Sequence, residues 1–454
     1  MKRTKSLRPV SRTPICQQGG GNMADVWSGV REFDLENGLK VLTLEDHMVP
    51  SVSFQVHFAA GSRNETPGIT GIAHLFEHLM FKRTTNLKPE EFSRIIQANG
   101  GELNAFTTQD CTAYFENLPS DRLELAARLE AERISNLLLD MEGIKTEREV
   151  VRSERRLRIV NSPDGMAMEQ LYATAFDQHP YQWPVIGWDS DLRSISVEEC
   201  REFYRTYYAP NNAVIVMVGD LDPQRALETV RKYFDTMERQ KPPPPVRSRE
   251  RPQRGEKRAV VRKMARLPLF CAGYHVPNIT HPDIYPLLAV ATLLAHGRSA
   301  RFYQKFVKTG KAVEAGADVG QPPFLSADDG LMIINATAAP AVDISRLERD
   351  ILDETESLAR MPVAAEELEK AKKQLRSSYL LSLQTNFFKG LVLGQYQIRA
   401  GDWRLAEHIN QRYQTILAED VLRVAQEYLR PSNRTVVTLV PVTEDENTRL
   451  GPIE

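Results

Sequence analysis

The segment VEECREFYRTYYAPNNAVIVMV, residues 197–218, decides the fold, because a similar segment, AEDVLRVAQEYLRPSNRTVVTL, recurs at residues 418–439. Each copy reads as an amphipathic helix, a proline-containing turn and a β-branched strand. Pro210 corresponds to Pro431, and an asparagine follows two residues after each proline. The matching position of the two segments indicates an internal duplication, although two similar helix–turn–strand units could also meet by chance.

A segment rich in proline and arginine separates the two copies. Residues 238–258 contain five prolines and eight basic residues against three acidic ones. Proline breaks helices and removes a donor from a sheet, so no regular helix or central strand fits here. We therefore predict a stiff linker between an N-terminal domain at 30–237 and a homologous C-terminal domain at 259–445. A disordered basic tail at 1–29 and a short tail at 446–454 would flank them.

Local patterns within the halves predict an α+β architecture. The runs LKVLTLED (39–46), SVSFQVHFAAG (51–61) and AVIVMVGD (213–220) have strand character. Helical periodicity covers residues 121–137, where Ser120 is the expected cap, and residues 364–382. We expect two homologous α/β-sandwich domains, each with a mostly antiparallel sheet covered by helices.

Composition excludes several classes of protein. A chain of 454 residues is too long for one compact core, and 42% hydrophobic with 26% charged residues is typical of a globular protein. The formal net charge of −2 creates no general attraction for nucleic acid. The basic segments 1–22 and 239–258 lack the interleaved aromatics of a nucleic-acid site, and no apolar run could span a bilayer. We expect neither nucleic acid nor a membrane as a partner.

Cysteine usage and the first residues bear on the compartment. Four scattered cysteines argue against a disulfide scaffold or a cysteine-rich zinc site: Cys16, Cys111, Cys200 and Cys271. Residues 1–22 carry five basic residues and no acidic one, but lack the apolar region of a secretory signal. This favours a cytoplasmic protein. A periplasmic or organellar location stays open if these residues are a targeting sequence or if the start is misassigned.

The stretch GIAHLFEHLMFK, residues 71–82, places polar groups inside an apolar helix. At positions i, i+3 and i+4, His74, Glu77 and His78 share one helical face. Two imidazoles one turn apart are a common platform for zinc, and a neighbouring carboxylate can take a proton from a zinc-activated water. The alternative is a hydrogen-bonded core, but each unpartnered buried polar group costs about 1–3 kcal/mol.

A third ligand is expected from the segment TEREVVRSERRLRIVNSPDG, residues 146–165. Glu147 and Glu154 are seven residues apart, which puts them on one face of a helix, beside an apolar Val–Val pair. The alternative is a solvated helix with Glu–Arg pairs. We expect the neighbouring arginines to form surface ion pairs rather than a substrate site: Arg152, Arg155, Arg156 and Arg158.

Together these motifs resemble the inverzincin, or pitrilysin/insulinase-type, metallopeptidases of family M16. The resemblance is to the short two-domain branch with mitochondrial processing peptidase β and bacterial processing-peptidase-like proteins. HLFEH matches the family's His-x-x-Glu-His, and Glu154 lies 76 residues after His78, where the family has its third ligand. GGELNAFTTQDCTAYFENLP (100–119) resembles the family's Gly-Gly-x-x-Asn-Ala-x-Thr segment, and HPYQWPVIG (179–187) is also recognisable. The resemblance extends from about residue 30 to about residue 440.

The resemblance implies a zinc-dependent endopeptidase. His74, His78 and Glu154 would hold one Zn²⁺ per chain, although such a set also accepts Mn or Co in vitro. Glu77 would be the general base that activates water and later protonates the leaving amine. Glu147 would orient the site from outside the ligand set.

The resemblance also implies how substrate binds. In the family, the segment equivalent to residues 104–106 lies on a sheet edge, where an extended peptide or unfolded segment adds as a further strand. Asn104 would bond the peptide backbone next to Ala105. Phe106 would line a side-chain pocket, with ordinary core packing as its alternative. We expect Asp110, Thr112 and Tyr114 to serve the fold.

One departure from the family affects the expected partner. Catalytically complete members carry an Arg and, seven residues later, a Tyr in the second half. Here VKTGKAVEAGADVG, residues 307–320, occupies that place and has neither. This suggests a heterodimer in which a homologous non-zinc subunit supplies the Arg/Tyr pair. A homodimeric peptidase and a non-catalytic scaffold subunit of the same fold are the alternatives.

Overall fold

The computed structural model describes residues 26–451. Most of the tail predicted at 1–29 and the last three residues of the chain therefore lie outside the described residues. Trp27 falls within the predicted tail, yet it is only 1% exposed and packs into a large hydrophobic cluster. Trp27 therefore belongs to the folded part of the chain, although the prediction placed it in the tail.

Each half of the chain contributes one sheet. The strands of the N-terminal half are β1 (Arg31–Asp34), β2 (Lys40–Glu45), β3 (Ser51–Phe58), β4 (Glu102–Thr107), β5 (Thr112–Pro119) and β6 (Ala213–Gly219). The strands of the C-terminal half are β7 (Lys257–Lys263), β8 (Leu269–Val276), β9 (Ala312–Asp318), β10 (Gly330–Ala338) and β11 (Arg434–Pro441).

Helices follow the same division. The N-terminal half has α1 (Ile72–Leu79), α2 (Glu91–Ala98), α3 (Leu123–Asn136), α4 (Met141–Arg155), α5 (Pro163–Ala175), α6 (Asp189–Ser194), α7 (Val197–Tyr207) and α8 (Pro223–Phe234). The C-terminal half has α9 (Ile284–Ala295), α10 (Ile344–Ser357), α11 (Ala365–Ser382), α12 (Asn386–Ala400), α13 (Ile409–Thr415), α14 (Ala418–Tyr428) and α15 (Glu444–Leu450). Short π-helical segments occur at Arg156–Val160 and Tyr303–Val307.

Strand order reveals the duplication. The first sheet runs β1-β2-β6-β3-β5-β4 and the second runs β7-β11-β8-β10-β9. Without β1 the two orders are equivalent strand for strand. The parallel pair also recurs, as β2/β6 in one sheet and β7/β11 in the other, while all other neighbours are antiparallel. The prediction of two homologous α+β domains with mostly antiparallel sheets is confirmed.

Each half covers its own sheet on one face only. In the N-terminal half, α3 and α8 pack on the sheet, and α1 packs near its β4 edge. The central strand β6 is nevertheless buried at all seven positions, so its second face must also be covered. That cover comes from α12, a helix of the C-terminal half, which packs on β3 and β6.

The exchange is mutual, because α5 of the N-terminal half packs on β7, β8 and β11 of the C-terminal half. Leu171 and Ala167 of α5 join one hydrophobic cluster with Leu269 and Val437. On the other side, Gln55 Nε2 donates to the carbonyl of Phe387 at 2.8 Å. The two halves are therefore interlocked through a pair of exchanged helices.

The segment between the halves lies along the N-terminal half. It has no regular element from residue 238 until β7 begins at Lys257. Glu250 fixes it there, because one carboxylate oxygen accepts the backbone N–H groups of Asp177, Gln178 and His179 at 3.0, 2.9 and 3.1 Å. The linker therefore supports the segment of residues 177–187, part of which forms one wall of a cleft next to α1.

Three local expectations needed correction or refinement. Ser120 does not cap α3; it begins a 3₁₀ turn, and its hydroxyl donates to Asp220 at 2.9 Å. The helix expected across 146–165 breaks at residue 161, and Ser162 caps α5 by accepting the N–H of Gly165. At the end of the described chain, α15 occupies much of the tail predicted at 446–454 but has no buried residue.

Candidate active site

Helix α1 carries the first polar cluster and is held rigidly at its N-terminus. Gly71, at φ 88°, precedes the helix, and Glu65 caps it by accepting the N–H groups of Gly71 and Ala73, each at 2.8 Å. A Cβ on Gly71 would lie 2.5 Å from the carbonyl oxygen of Ile186. Only glycine allows the start of α1 to approach the 177–187 wall so closely.

Three side chains meet between α1 and α4. Glu154 Oε2 lies 3.3 Å from His78 Nε2, and Glu154 Oε1 lies 3.9 Å from His74 Nε2. One donor atom of each residue lies within 4.8 Å of the others. Within residues 26–451 this is the one group of three such side chains close enough to share a metal ion.

Glu147 supports this group from behind. Its Oε2 lies 3.4 Å from His78 Nδ1, and its Oε1 lies 3.0 Å from Lys82 Nζ. The Glu147 side chain is almost completely buried. With Nδ1 facing a carboxylate, the proton of neutral His78 is held on that nitrogen, and Nε2 keeps a free lone pair.

Glu77 lies on the same helix and points toward the edge strand β4. Thr107 Oγ1, at the end of β4, donates to Glu77 Oε2 at 2.6 Å. Sequence reasoning gave Thr107 no role, although it stands in the quoted segment after residues 104–106. The signal was the threonine that ends the Asn-Ala-x-Thr pattern.

Four of these side chains, His74, Glu77, His78 and Glu154, line a cleft of about 680 Å³. One wall is β4, the floor is α1, and the opposite wall comes from the end of α4 and from residues 184–186. The lining residues are His74, Glu77, His78, Asn104, Ala105, Phe106, Thr107, Glu154, Arg158, Ile159, Pro184, Val185 and Ile186. A slightly larger cavity of about 750 Å³ lies between α3 and α7, and none of these groups lines it.

The residues predicted to bind substrate lie on β4, which forms the outer edge of the first sheet. Asn104 is exposed, and its Oδ1 accepts the N–H of Ala105 at 2.9 Å. Phe106 is half-buried and meets the ring of Phe324 edge-on, with 5.7 Å between centroids. The C-terminal half therefore borders the cleft through Phe324, a contact that sequence reasoning missed.

Asp110 and Tyr114 serve the fold, as expected. Asp110 Oδ2 accepts from Arg399 Nη1 at 3.0 Å and from the N–H of Ala327 at 3.1 Å, so it joins the β4–β5 turn to the C-terminal half. Tyr114 donates to the carbonyl of Phe76 in α1 at 3.3 Å. Both contacts fix the elements around the cleft.

Burial and charge move the pKa values of the cluster in opposite directions. Burial, with a contribution from neighbouring His78, lowers the pKa of His74 to about 4. Burial also acts to lower the pKa of His78, but the carboxylates of Glu147 and Glu154 outweigh it and raise the value to about 9. The bond to His78 lowers the pKa of Glu154, whereas burial raises that of Glu77 against the opposing bond from Thr107.

The donor set suits zinc. Two imidazoles and a carboxylate are typical of a catalytic zinc site that keeps a position for water, with ligand distances of about 2.0–2.2 Å. The spacing of the three side chains permits such an arrangement.

None of the helices described between residues 26 and 451 is both long and apolar enough to cross a membrane.

Sequence comparisons identify the family and several relatives of the chain. The family model described as Insulinase (Peptidase family M16) matches residues 40–188, and that described as Peptidase M16 inactive domain matches residues 194–375. The zinc protease PqqE of Helicobacter pylori is 32% identical over 412 residues, which cover 90% of this chain and 92% of that protein. The uncharacterized zinc protease YmxG of Bacillus subtilis is 24% identical over 398 residues, which cover 88% and 95%.

Solved structures extend the comparison. The crystal structure of a protease from Helicobacter pylori matches with a TM-score of 0.87 at 31% identity, covering 91% of this chain and 99% of that one. The periplasmic protease PqqL of Escherichia coli shares the fold with a TM-score of 0.72 at 15% identity; the match covers 93% of this chain and 50% of that one. The chain therefore belongs to the insulinase-type peptidase family M16.

Proposed function

We propose that this chain is a zinc-dependent endopeptidase that cleaves extended peptides or unfolded segments. The observation that supports it most is the convergence of His74, His78 and Glu154 beside Glu77, directly at the open edge of a sheet. The relatives named as zinc proteases support the same class of enzyme. The function requires a metal, a proton acceptor and a place for extended peptide, and the cleft combines groups suited to all three.

His74, His78 and Glu154 would hold the ion. A zinc ion there supplies Lewis acidity, which polarises the scissile carbonyl and lowers the pKa of water to about 7. Glu147 keeps His78 in the tautomer whose Nε2 is free to bind. Because Glu147 also pairs with Lys82, its carboxylate stays ionised: burial acts to raise its pKa, but the bonds from His78 and Lys82 lower it.

Glu77 carries the proton transfers. Its carboxylate accepts a proton from the attacking water and returns it to the leaving amine, for which a buried carboxyl with a raised pKa is well suited. Thr107 orients that carboxylate through its hydrogen bond. Since Thr107 ends β4, the base is tied to the strand beside which a peptide would lie.

Substrate would bind by strand addition. One side of β4 pairs with β5, and within the described chain no strand pairs with its other side. A peptide strand can therefore bond to the N–H and C=O groups of this segment that face away from β5, which alternate along β4 with those bonded to β5. Asn104 Oδ1, which accepts the N–H of Ala105 in this structure, would release it. The Asn104 side chain and the N–H of Ala105 could then bond the peptide backbone, and Phe106 would contact a peptide side chain. Such recognition selects extended backbone more than sequence.

A partner subunit completes the proposal. Phe324 brings the C-terminal half to the cleft, but residues 312–325 contain neither arginine nor tyrosine. A homologous non-zinc subunit would supply that pair, and a homodimer is the alternative. A non-catalytic scaffold is a second candidate, because the model that matches residues 194–375 is described as an inactive domain.

We also propose a cytoplasmic location, with a periplasmic or organellar location as the alternative. Cell fractionation tests it directly. Recovery of the protein in the periplasm or in an organelle would overturn that part without affecting the chemistry.

The test of function combines metal content with cleavage. The full chain is purified alone and after co-expression with the neighbouring reading frame, and peptide cleavage is measured with and without chelator. We expect one zinc per chain, loss of cleavage with chelator and loss of cleavage in Glu77→Gln. Glu149→Gln is the matched control, because Glu149 is exposed on α4 and pairs with Arg152 at 2.6 Å.

The outcomes separate the candidates. A protein without zinc, or cleavage that survives Glu77→Gln, would refute the peptidase proposal. Zinc binding with no cleavage in any assembly would favour the scaffold. Full activity of the purified single chain would refute the need for another subunit, and its mass in solution would then distinguish monomer from homodimer.

A further inference from the structure

Five arginines follow Glu147 on α4 and its π-helical extension, and four of them have partners that account for them. Arg148 Nη1 donates to the carbonyl of Ile195 at 2.6 Å. Arg152 Nε lies 2.7 Å from Asp189 Oδ1. Arg155 is buried and binds Glu169 through both terminal nitrogens, at 2.6 and 3.0 Å. Arg156 donates to Ser153 Oγ at 2.8 Å. Arg152 thus forms the predicted kind of ion pair, Arg155 is paired but buried rather than on the surface, and Arg156 bonds a serine rather than a carboxylate.

Arg158 is different, because it lines the cleft opposite β4. Its Nε lies 3.0 Å from Glu154 Oε1, while 70% of the side chain is exposed. Within residues 26–451 the structure records no further hydrogen bond or ion pair for its two terminal amino groups. The guanidinium is thus fixed at its base and free to bind at its end.

The backbone beneath Arg158 is also fixed. Residues Arg156–Val160 form a π-helical turn, a widening that often occurs at functional sites. Gly165 of α5 packs directly against this turn: a Cβ there would overlap the carbonyl oxygen of Arg158 and lie 3.0 Å from Ile159 Cα. A long side chain on a rigid base can hold its charged end in one region of the cleft.

The charges of the cleft indicate what the free end of Arg158 could bind. Glu77 and Glu154 line the same cleft and repel an acidic peptide, and Arg158 is the single arginine or lysine among the lining residues. A guanidinium with two free amino groups matches a carboxylate through two parallel hydrogen bonds.

We propose that Arg158 is a specificity-determining residue that binds a carboxylate of the peptide substrate. The carboxylate belongs either to an aspartate or glutamate side chain near the scissile bond or to the free C-terminus of the peptide. The inference rests on the proposed function in that the occupant of the cleft is a peptide. It adds a preference for negative charge to a cleft that otherwise recognises extended backbone.

Binding to a non-cleaving protein tests this inference separately from catalysis. Fluorescent extended peptides are titrated into the zinc-loaded Glu77→Gln chain, together with its partner subunit if one co-purifies. The peptides differ only by Glu or Gln at one position, or by a free or amidated C-terminus. We expect one acidic peptide to bind about tenfold more tightly than its neutral counterpart, as for a hydrogen-bonded charge pair. The pair that responds identifies the source of the carboxylate.

Substitutions then assign the effect. In the Glu77→Gln background, Arg158→Gln should abolish the difference between paired peptides while zinc content is retained, and Arg158→Glu should favour peptides with lysine at that position. Arg156→Gln, a similar exposed residue two positions earlier, should leave the difference unchanged.

Equal binding of all paired peptides, a difference that survives Arg158→Gln, or no peptide binding at all would overturn the inference. Selective binding of acidic peptides without cleavage by the wild-type protein would instead support the inference and overturn the proposed peptidase.

Discussion

Gly394→Ala probes the exchange of helices at its tightest point. Gly394 lies on α12 where that helix crosses the N-terminal sheet, and an added Cβ would come within 2.6 Å of His57 Cε1 and closer still to Nε2 and Cδ2. The His57 ring cannot easily move away. Its Nε2 bonds Gln55 Oε1 and its Nδ1 bonds Gln395 Nε2, each at 3.0 Å.

Two effects of opposite sign determine the result. Alanine is favoured over glycine inside a helix by about 1 kcal/mol. Against this, overpacking a well-packed core costs about 1–3 kcal/mol, and a displaced His57 would leave buried polar atoms unpaired at about 1–3 kcal/mol. The packing costs exceed the helical gain, so we expect the free energy of unfolding to fall by about 1–5 kcal/mol.

Urea denaturation followed by circular dichroism measures this change through the midpoint at an unchanged slope. Gly255→Ala is the control, because no atom lies within 4 Å of the added Cβ. A Gly394→Ala protein as stable as the wild type, or more stable, would mean that α12 does not press on His57 as described.

Three further predictions concern the site and its surroundings. Thr107→Val should lower kcat/KM about tenfold while zinc content stays constant, because Glu77 loses a hydrogen bond to its charge; unchanged kinetics would contradict this. Because burial, with a smaller contribution from Arg399, lowers the pKa of His57 to about 3, the unfolded state binds an extra proton below its usual value of 6.5. Stability should therefore fall by up to about 1.4 kcal/mol per pH unit as pH decreases from 6.5 toward 3; denaturation of His57→Gln at several pH values should lack this component. Chelation should lower the Tm and added zinc should restore it, because zinc at a free concentration about a hundred times its Kd raises the free energy of unfolding by about 2.7 kcal/mol. The Tm of His78→Ala should not respond to either treatment.

The sequence revealed the repeated unit because its signal is local. A helix, a proline turn and a β-branched strand each leave their mark within about ten residues, so α7–β6 and α14–β11 were both recognisable. The polar face of α1 was equally readable, since 3.6-residue periodicity fixes which side chains share a side. The proximity of Glu154 to His78 came from family resemblance, because spacing along a chain does not determine which helices pack together.

The exchanged helices were beyond such reasoning for a physical reason. An amphipathic pattern in α5 or α12 shows that one face is buried, but not what buries it. Gly390 and Gly394 were visible as small residues in α12, yet their partners Gln55 and His57 lie more than 300 residues earlier. Thr107 was missed for a similar reason, because its contact with Glu77 depends on how β4 packs against α1. Arg158 was predicted to form a surface ion pair, but its place in the cleft could not be predicted from sequence.

The interlocking of the halves has a consequence for biosynthesis. When β6 has left the ribosome, the last strand of the first sheet is present. Helix α12, which covers one face of β6, begins 167 residues after β6 ends at Gly219. Until α12 is synthesised, one apolar face of the first sheet in the nascent chain has no helix to cover it. Helix α5 likewise lacks the strands β7, β8 and β11 on which it packs. During synthesis the N-terminal half therefore exposes apolar surface of the kind that favours aggregation and chaperone binding until the C-terminal half is present.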